Sequence, residues 1–200
     1  MANTKLTMDD IVDLRAYERE REAFRTRIIA VKKRRRLFIG PVVTLLFENR
    51  DTIRFQIQEM ARAEKMLSDA AIQTELDTYN PLIPEPGHLS ATLFVELTTK
   101  TEMVEWLPKL FGIEQSVEFL IGEGDGAEVV HCVVDEEHAA QLTREATTAS
   151  VHYVRFEFSP EQIERFATDS VVVAVNHPNY PEGARLSEDG RATLLDDLRA

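Results

Sequence analysis

Val42 to Phe47 reads VVTLLF, a run that is apolar on both of the faces a strand would present. Alternate residues of a strand point to opposite sides, so such a segment is stable only where both sides are covered. Gly40-Pro41 precedes it and breaks regular structure. Glu48-Asn49-Arg50-Asp51 follows it, and from Arg50 to about Ser68 the apolar positions recur at helical spacing, with Asn49 or Asp51 as the cap. The chain must therefore place a central strand between two layers and leave it through a polar junction into a helix.

The remaining pattern supplies those layers. Leu14, Tyr17, Phe24, Ile28 and Val31 share one helical face, which predicts a long helix over residues 9–35 capped by Thr7 or Asp9 and ending in the cations KKRRR, where they suit the helix dipole. The second helix is expected to continue through DAAIQTELDTY until YNPLIPEPG, residues 79–87, whose three prolines and glycine stop it. Strands are expected at Leu89–Leu97, Val151–Phe158 and Val171–Val175, and helices at Glu102–Phe111, Pro160–Ala167, the polar residues 135–148 and the tail from Leu186. SVEFLIGEGDGAEVVHCVV reads as a hairpin, two strand-like runs joined by a glycine-rich turn. Several strands lie too close in sequence for crossover helices, so the reading is an α+β fold: a largely antiparallel sheet of five or six strands with a long N-terminal helix and further helices packed on it. Two hundred residues with this composition suit a single domain, 1–200.

Charge divides the chain. Residues 1–36 hold 11 Lys/Arg against 6 Asp/Glu, net +5, which leaves 12 against 29, net −17, for residues 37–200. An acidic body disfavours wrapping nucleic acid, while the basic arm can dock on something acidic, including this protein's own body. The run Lys32, Lys33, Arg34, Arg35 and Arg36 is the candidate anion-binding segment; no aromatic residues interleave it, so RNA binding is the weaker reading. A single cysteine, Cys132, excludes an internal disulfide and any metal site of several thiolates. No apolar run is long enough to span a membrane and MANTKLTMDD lacks the core of a signal peptide, so the expected setting is the cytoplasm.

Gly122 to Gly126 superficially suggests a phosphate cradle, but a strand follows it and two carboxylates would repel phosphate. Of the five histidines, His88, His131, His138, His152 and His177, none falls at HxH, HxxxH or HExxH spacing. His152 shares a strand face with Val154, Phe156 and Phe158, while Tyr153, Arg155 and Glu157 share the other. Glu64 falls on the apolar face of the second helix with Ile53, Ile57, Met60 and Ala61, where a carboxylate must be paired, protonated or at the mouth of a cavity; Glu59 looks toward a second surface. Two arrangements are open. Glu48, Arg50 and Glu64 form an ionic lattice with Arg155 or the basic run, or Glu48, Glu64 and His152 or His177 line a pocket as an acid and a base, or as ligands of iron, manganese or zinc.

LFENRDTIRFQIQEMARAEK, ELDTYNPLIP, SVHYVRFEF and NHPNY, together with AYERE and KKRRR, occur in an order that resembles the bacterial family known as domain of unknown function 3501. The resemblance carries no established activity. It implies a context of rubrerythrin-like and iron-sulfur oxidoreductase proteins, and so an accessory component of a redox or peroxide-defence module that binds a protein partner. The residues themselves leave open a divalent metal or no cofactor, and self-association.

Overall fold

The computed structural model describes residues 5–134 and 147–200. The expected helix over residues 135–148, and His138 within it, lie largely outside the described residues. All eight described strands are antiparallel and form two four-stranded sheets rather than one. The first contains β1 (Arg36–Ile39), β2 (Val43–Phe47), β3 (His88–Val95) and β6 (Val151–Glu157), in that order; the second contains β5 (Glu128–His131), β4 (Val117–Ile121), β7 (Val171–His177) and β8 (Tyr180–Arg185). The fold is α+β.

The sheets pack face to face. Phe119 of β4 stands at the centre, with ring centroids 4.8 Å from Phe156, 5.3 Å from Phe158 and 5.8 Å from Phe47. Val43, Leu45 and Phe47 point into this layer, as do Leu89, Ala91, Leu93 and Val95 and, from the facing sheet, Val171, Val173 and Val175. Both rims are tied. The Tyr180 hydroxyl donates to the carbonyl of Ile39 at 2.7 Å and accepts from the amides of Val42 and Val43, joining β8 to the β1–β2 turn. At the other rim Val133 and Arg155 exchange backbone hydrogen bonds of 2.7 and 3.0 Å, so the chain after β5 crosses to β6. Gly40 makes the first closure possible: its φ is +62°, and a Cβ there would lie 2.6 Å from the Tyr180 hydroxyl.

Helices cover the outer face of the first sheet. α1 (Leu14–Arg35) and α2 (Arg50–Ala63) pack on each other through Tyr17, Phe24, Ile28 and Phe55, and α1 also lies against β2. α3 (Asp69–Tyr79) adds Leu76 to a second apolar cluster with Ile53, Ile57 and Ile83. α4 (Lys100–Lys109), α5 (Pro160–Thr168) and α6 (Glu188–Leu198) complete the described helices.

Three boundaries differ from the sequence reading. α1 begins at Leu14, capped by the Asp13 side chain, because Thr7 and Asp10 close a separate short turn and Val12 is held by both ends of the Gln58 amide. α2 stops at Ala63 rather than running on: Lys65 adopts φ +54°, and the amides of Lys65 and Met66 bond back to Arg62 and Ala61, closing the helix with a left-handed cap before Ser68 starts α3. β1 and β8 are strands where none was expected. One follows the basic run without a break, and the other carries Pro181 and Gly183 at a sheet edge, where both are tolerated.

Candidate functional site

The junction after β2 builds a cavity that holds a buried carboxylate, Glu48. Thr44 and Leu46 face the helical side of the sheet, and the next residue in that alternation is Glu48, 7 % exposed. Asn49 caps α2 by accepting from the Thr52 amide, which brings Thr52 back over Glu48. The Thr52 hydroxyl donates to one Glu48 oxygen at 2.5 Å and the Thr92 hydroxyl of β3 donates to the other at 2.6 Å. Both carboxylate oxygens are thus satisfied by neutral donors, and the countercharge comes from α1: Lys32 lines the same cavity. Burial pushes the Lys32 ammonium down from the ordinary lysine range, and the Glu48 charge opposes that shift. Its Nζ sits 5.3 Å from the centroid of the Phe55 ring.

Leu46, Ile53, Phe94 and Val151 supply apolar wall, and Tyr79 and Tyr153 close one side. The cavity measures about 360 Å³, within the range of small-molecule sites. The two tyrosines share a hydrogen bond, and Tyr153 is pushed up to about 12, by burial first, then by Tyr79 and the Glu48 charge. A pocket of this kind presents one acid, one cation and several hydroxyls around an apolar body, so it can orient an organic ligand with a hydrogen-bonding end.

The other expected site residues lie elsewhere. Glu64 is exposed as the C-cap of α2, because the helix ends one residue before it and its azimuth on the apolar stripe never comes into force. Arg50 pairs with Asp10 at 2.5 Å. Of the expected lattice with Arg155 or the basic run, Glu48 faces Lys32 of the basic run, while Glu64 is exposed and has no ion pair among the described residues. Glu59 binds Arg21 through both oxygens and accepts from the Tyr17 hydroxyl at 2.6 Å, pinning α1 to α2; the Arg21 guanidinium, helped by Tyr17, holds its carboxyl below the usual range. His152 points to the opposite face of the first sheet from Glu48, between the sheets, where its Nε2 meets the Thr148 hydroxyl at 2.7 Å and the Ala149 carbonyl at 3.0 Å. Its Nδ1 stands 3.8 Å from the Glu114 carboxylate, and neither that nitrogen nor Glu114 Oε2 has a hydrogen-bond partner among the described residues. His177 closes a turn at the end of β7: Nε2 donates to the Phe111 carbonyl and Nδ1 accepts from the Asn179 amide. The candidate metal set Glu48, Glu64, His152 and His177 is dispersed over both sheets, and the described residues hold no group of three His, Cys, Asp or Glu side chains placed for an ion.

The basic run is also divided. Lys32 enters the cavity; Arg35, 6 % exposed, makes a two-pronged pair with Asp197 of α6 at 2.5 and 2.9 Å; Arg36 reaches Glu96 at 3.4 Å. Lys33 and Arg34 alone of the five remain fully exposed without an ion pair among the described residues. The arm docks on the acidic body of its own chain. No described helix is long and apolar enough to cross a membrane. Tyr79 and Tyr153 were not singled out as site residues by the sequence, and Lys32 was singled out only as one of five candidate anion-binding cations; the usable signal was the strand alternation that puts Tyr153 on the same face as Arg155.

The family model described as "Protein of unknown function (DUF3501)" matches residues 5–198, which spans the cavity and both sheets. The chain belongs to this family. A crystal structure of a novel protein of unknown function from Burkholderia pseudomallei is similar to it, with a TM-score of 0.87 and 37 % identity, covering 98 % of this chain and 100 % of the other. No curated protein matches.

Proposed function

We propose that this DUF3501 protein binds a small organic molecule in the Lys32–Glu48 cavity. The observation that carries the reading is the chemistry of the walls. A buried carboxylate already satisfied by two threonine hydroxyls faces a desolvated lysine across an apolar space of about 360 Å³. Keeping a lysine and a glutamate at a cavity rather than filling the space with aliphatic side chains costs stability, which a ligand would offset on binding. The opposite charges suit a ligand that is neutral at the inner end and presents both donor and acceptor atoms. Native mass spectrometry of the purified full chain, followed by extraction with a cell metabolite pool, tests this. A reproducible small-molecule adduct is expected, and Val151→Trp, which fills the space, should abolish it; an adduct that survives unchanged in the filled variant sinks the reading.

A second reading, an accessory role beside an oxidoreductase in a cytoplasmic redox or peroxide-defence module, is favoured by the outer face of α1. There Ile29, 53 % exposed, stands one turn before the exposed Lys33. An acidic partner would dock on that face. Pull-down from a native host with wild type and an Ile29→Asp, Lys33→Glu double variant tests it: recovery of an oxidoreductase by wild type alone supports the role, and recovery of none removes it.

A further inference from the structure

A second cavity, of about 200 Å³, lies directly beside the first, and the two share Leu82 and Tyr153 as walls. Strand register explains their alignment. On the helical face of the β3–β6 pair the partners run Phe94–Val151, Thr92–Tyr153 and Ser90–Arg155. The first two pairs line the inner cavity, while Tyr153, Ser90 and Arg155 line the outer one. The two spaces are consecutive stretches of one strand face, and from Val151 to Arg155 that face extends roughly 13 Å at about 3.3 Å per residue.

The chemistry changes along this path. At the inner end stand Glu48, Lys32 and their threonines. Leu82, Val133 and Val134 line the middle and outer walls. At the outer end the Arg155 guanidinium is exposed, and no carboxylate of the described residues forms an ion pair with it. Asp77 borders the same cavity, and Lys5 lies near enough to Arg155 for the two like charges to repel. Lys5 is itself paired with Glu85 at 3.9 Å, which leaves Arg155 as the cation at this mouth without an ion-pair partner among the described residues.

We infer that the ligand is an elongated amphiphile that passes Tyr153 and occupies both cavities, with an anionic group on Arg155, an apolar middle, and a hydroxyl-like end between Lys32 and Glu48. This deepens the small-molecule reading above and rests on it. An ω-hydroxy fatty acid is the simplest molecule with that order of groups. Its hydroxyl donates to Glu48 and accepts from Lys32, its methylenes cover Leu82 and the valines, and its carboxylate meets the guanidinium with charge-assisted hydrogen bonds. Tyr153 acts as the waist between the two spaces, held by Tyr79.

Calorimetric titration of the full chain with ω-hydroxydodecanoate and with γ-hydroxybutyrate tests the assignment. The long probe is expected to bind and the short one, which cannot span both cavities, to bind at least about tenfold more weakly. Arg155→Gln, a change at an exposed side chain, should weaken the long probe about tenfold, the size of one lost charge-assisted bond, with Arg155→Lys restoring most of the affinity. Tyr153→Trp should block the long probe. No binding of the long probe, equal affinity of the two probes, or indifference to Arg155→Gln each overturns the elongated ligand. The metabolite adduct and its loss in Val151→Trp report separately on the inner cavity, so the broader reading survives or fails on its own measurement.

Discussion

The two faces of the first sheet are built from alternate residues of the same four strands, yet they solve opposite problems. Toward the second sheet, Leu45, Phe47, Leu93, Val154 and Phe156 pack around Phe119, and the polar group admitted there, His152, is set against a buried Glu114. Toward the helices, Thr92, Tyr153, Arg155 and Glu48 leave two cavities unfilled. One strand pair thus carries a dry face that holds the fold together and a polar face that leaves room for something else. The two buried carboxylates differ accordingly: Glu114 is set against His152 between the sheets, whereas Glu48 lines a cavity.

Substitutions should separate the faces by size of effect. Phe119→Ala removes the ring that four other phenylalanines contact and should cost about 3–5 kcal/mol in urea unfolding; a loss below about 1 kcal/mol would show that the dry face is not the anchor. Glu114→Ala opens a hole beside a buried imidazole and should cost about 2–4 kcal/mol, with ligand binding at the other face unchanged. Thr92→Val keeps the shape but withdraws one of the two hydroxyls from Glu48, so about 1–2 kcal/mol is expected, together with weakened ligand binding, a pairing that Glu114→Ala lacks. In the helical layer, the Glu59 carboxyl is held below its usual range, so its contribution is present above the ordinary glutamate range and is lost as pH falls through the depressed folded value. Glu59→Gln should therefore flatten the acid limb of the stability curve by less than about 1 kcal/mol, and an unchanged acid limb would assign it to other carboxylates. Val151→Ile, which adds one methylene toward the cavity, should shift stability by no more than about 0.5 kcal/mol; a large loss would mean that the space is packed after all.

Much of this architecture was legible because local and tertiary demands coincide. VVTLLF is covered on both sides, the Asn49 cap is where the polar junction put it, and the period-two pattern of Val151 to Phe158 sorts His152 inward and Tyr153 outward. What escaped depends on partners distant in sequence. β1 is too short and too cationic at its start to announce itself, and β8 is a strand only because β7 and the Tyr180 clasp hold it there. The candidate site was half legible. Glu48 was found as a carboxylate needing an explanation, but Glu64 was drawn in by a helical projection that assumed α2 continued. Lys32 was read as one cation of five, since no local pattern shows that a helix end will dock and send its charges to three different places.

The Arg35–Asp197 pair and the Tyr180 clasp join positions 162 and 141 residues apart. On the ribosome, the first helix and the first strand are made long before either partner exists. The basic helix end and the open edge of β1 must wait, unprotected, until β8 and α6 emerge. Closure of this fold therefore comes late relative to the making of α1 and β1, and the interval before it is when the nascent chain most needs a chaperone.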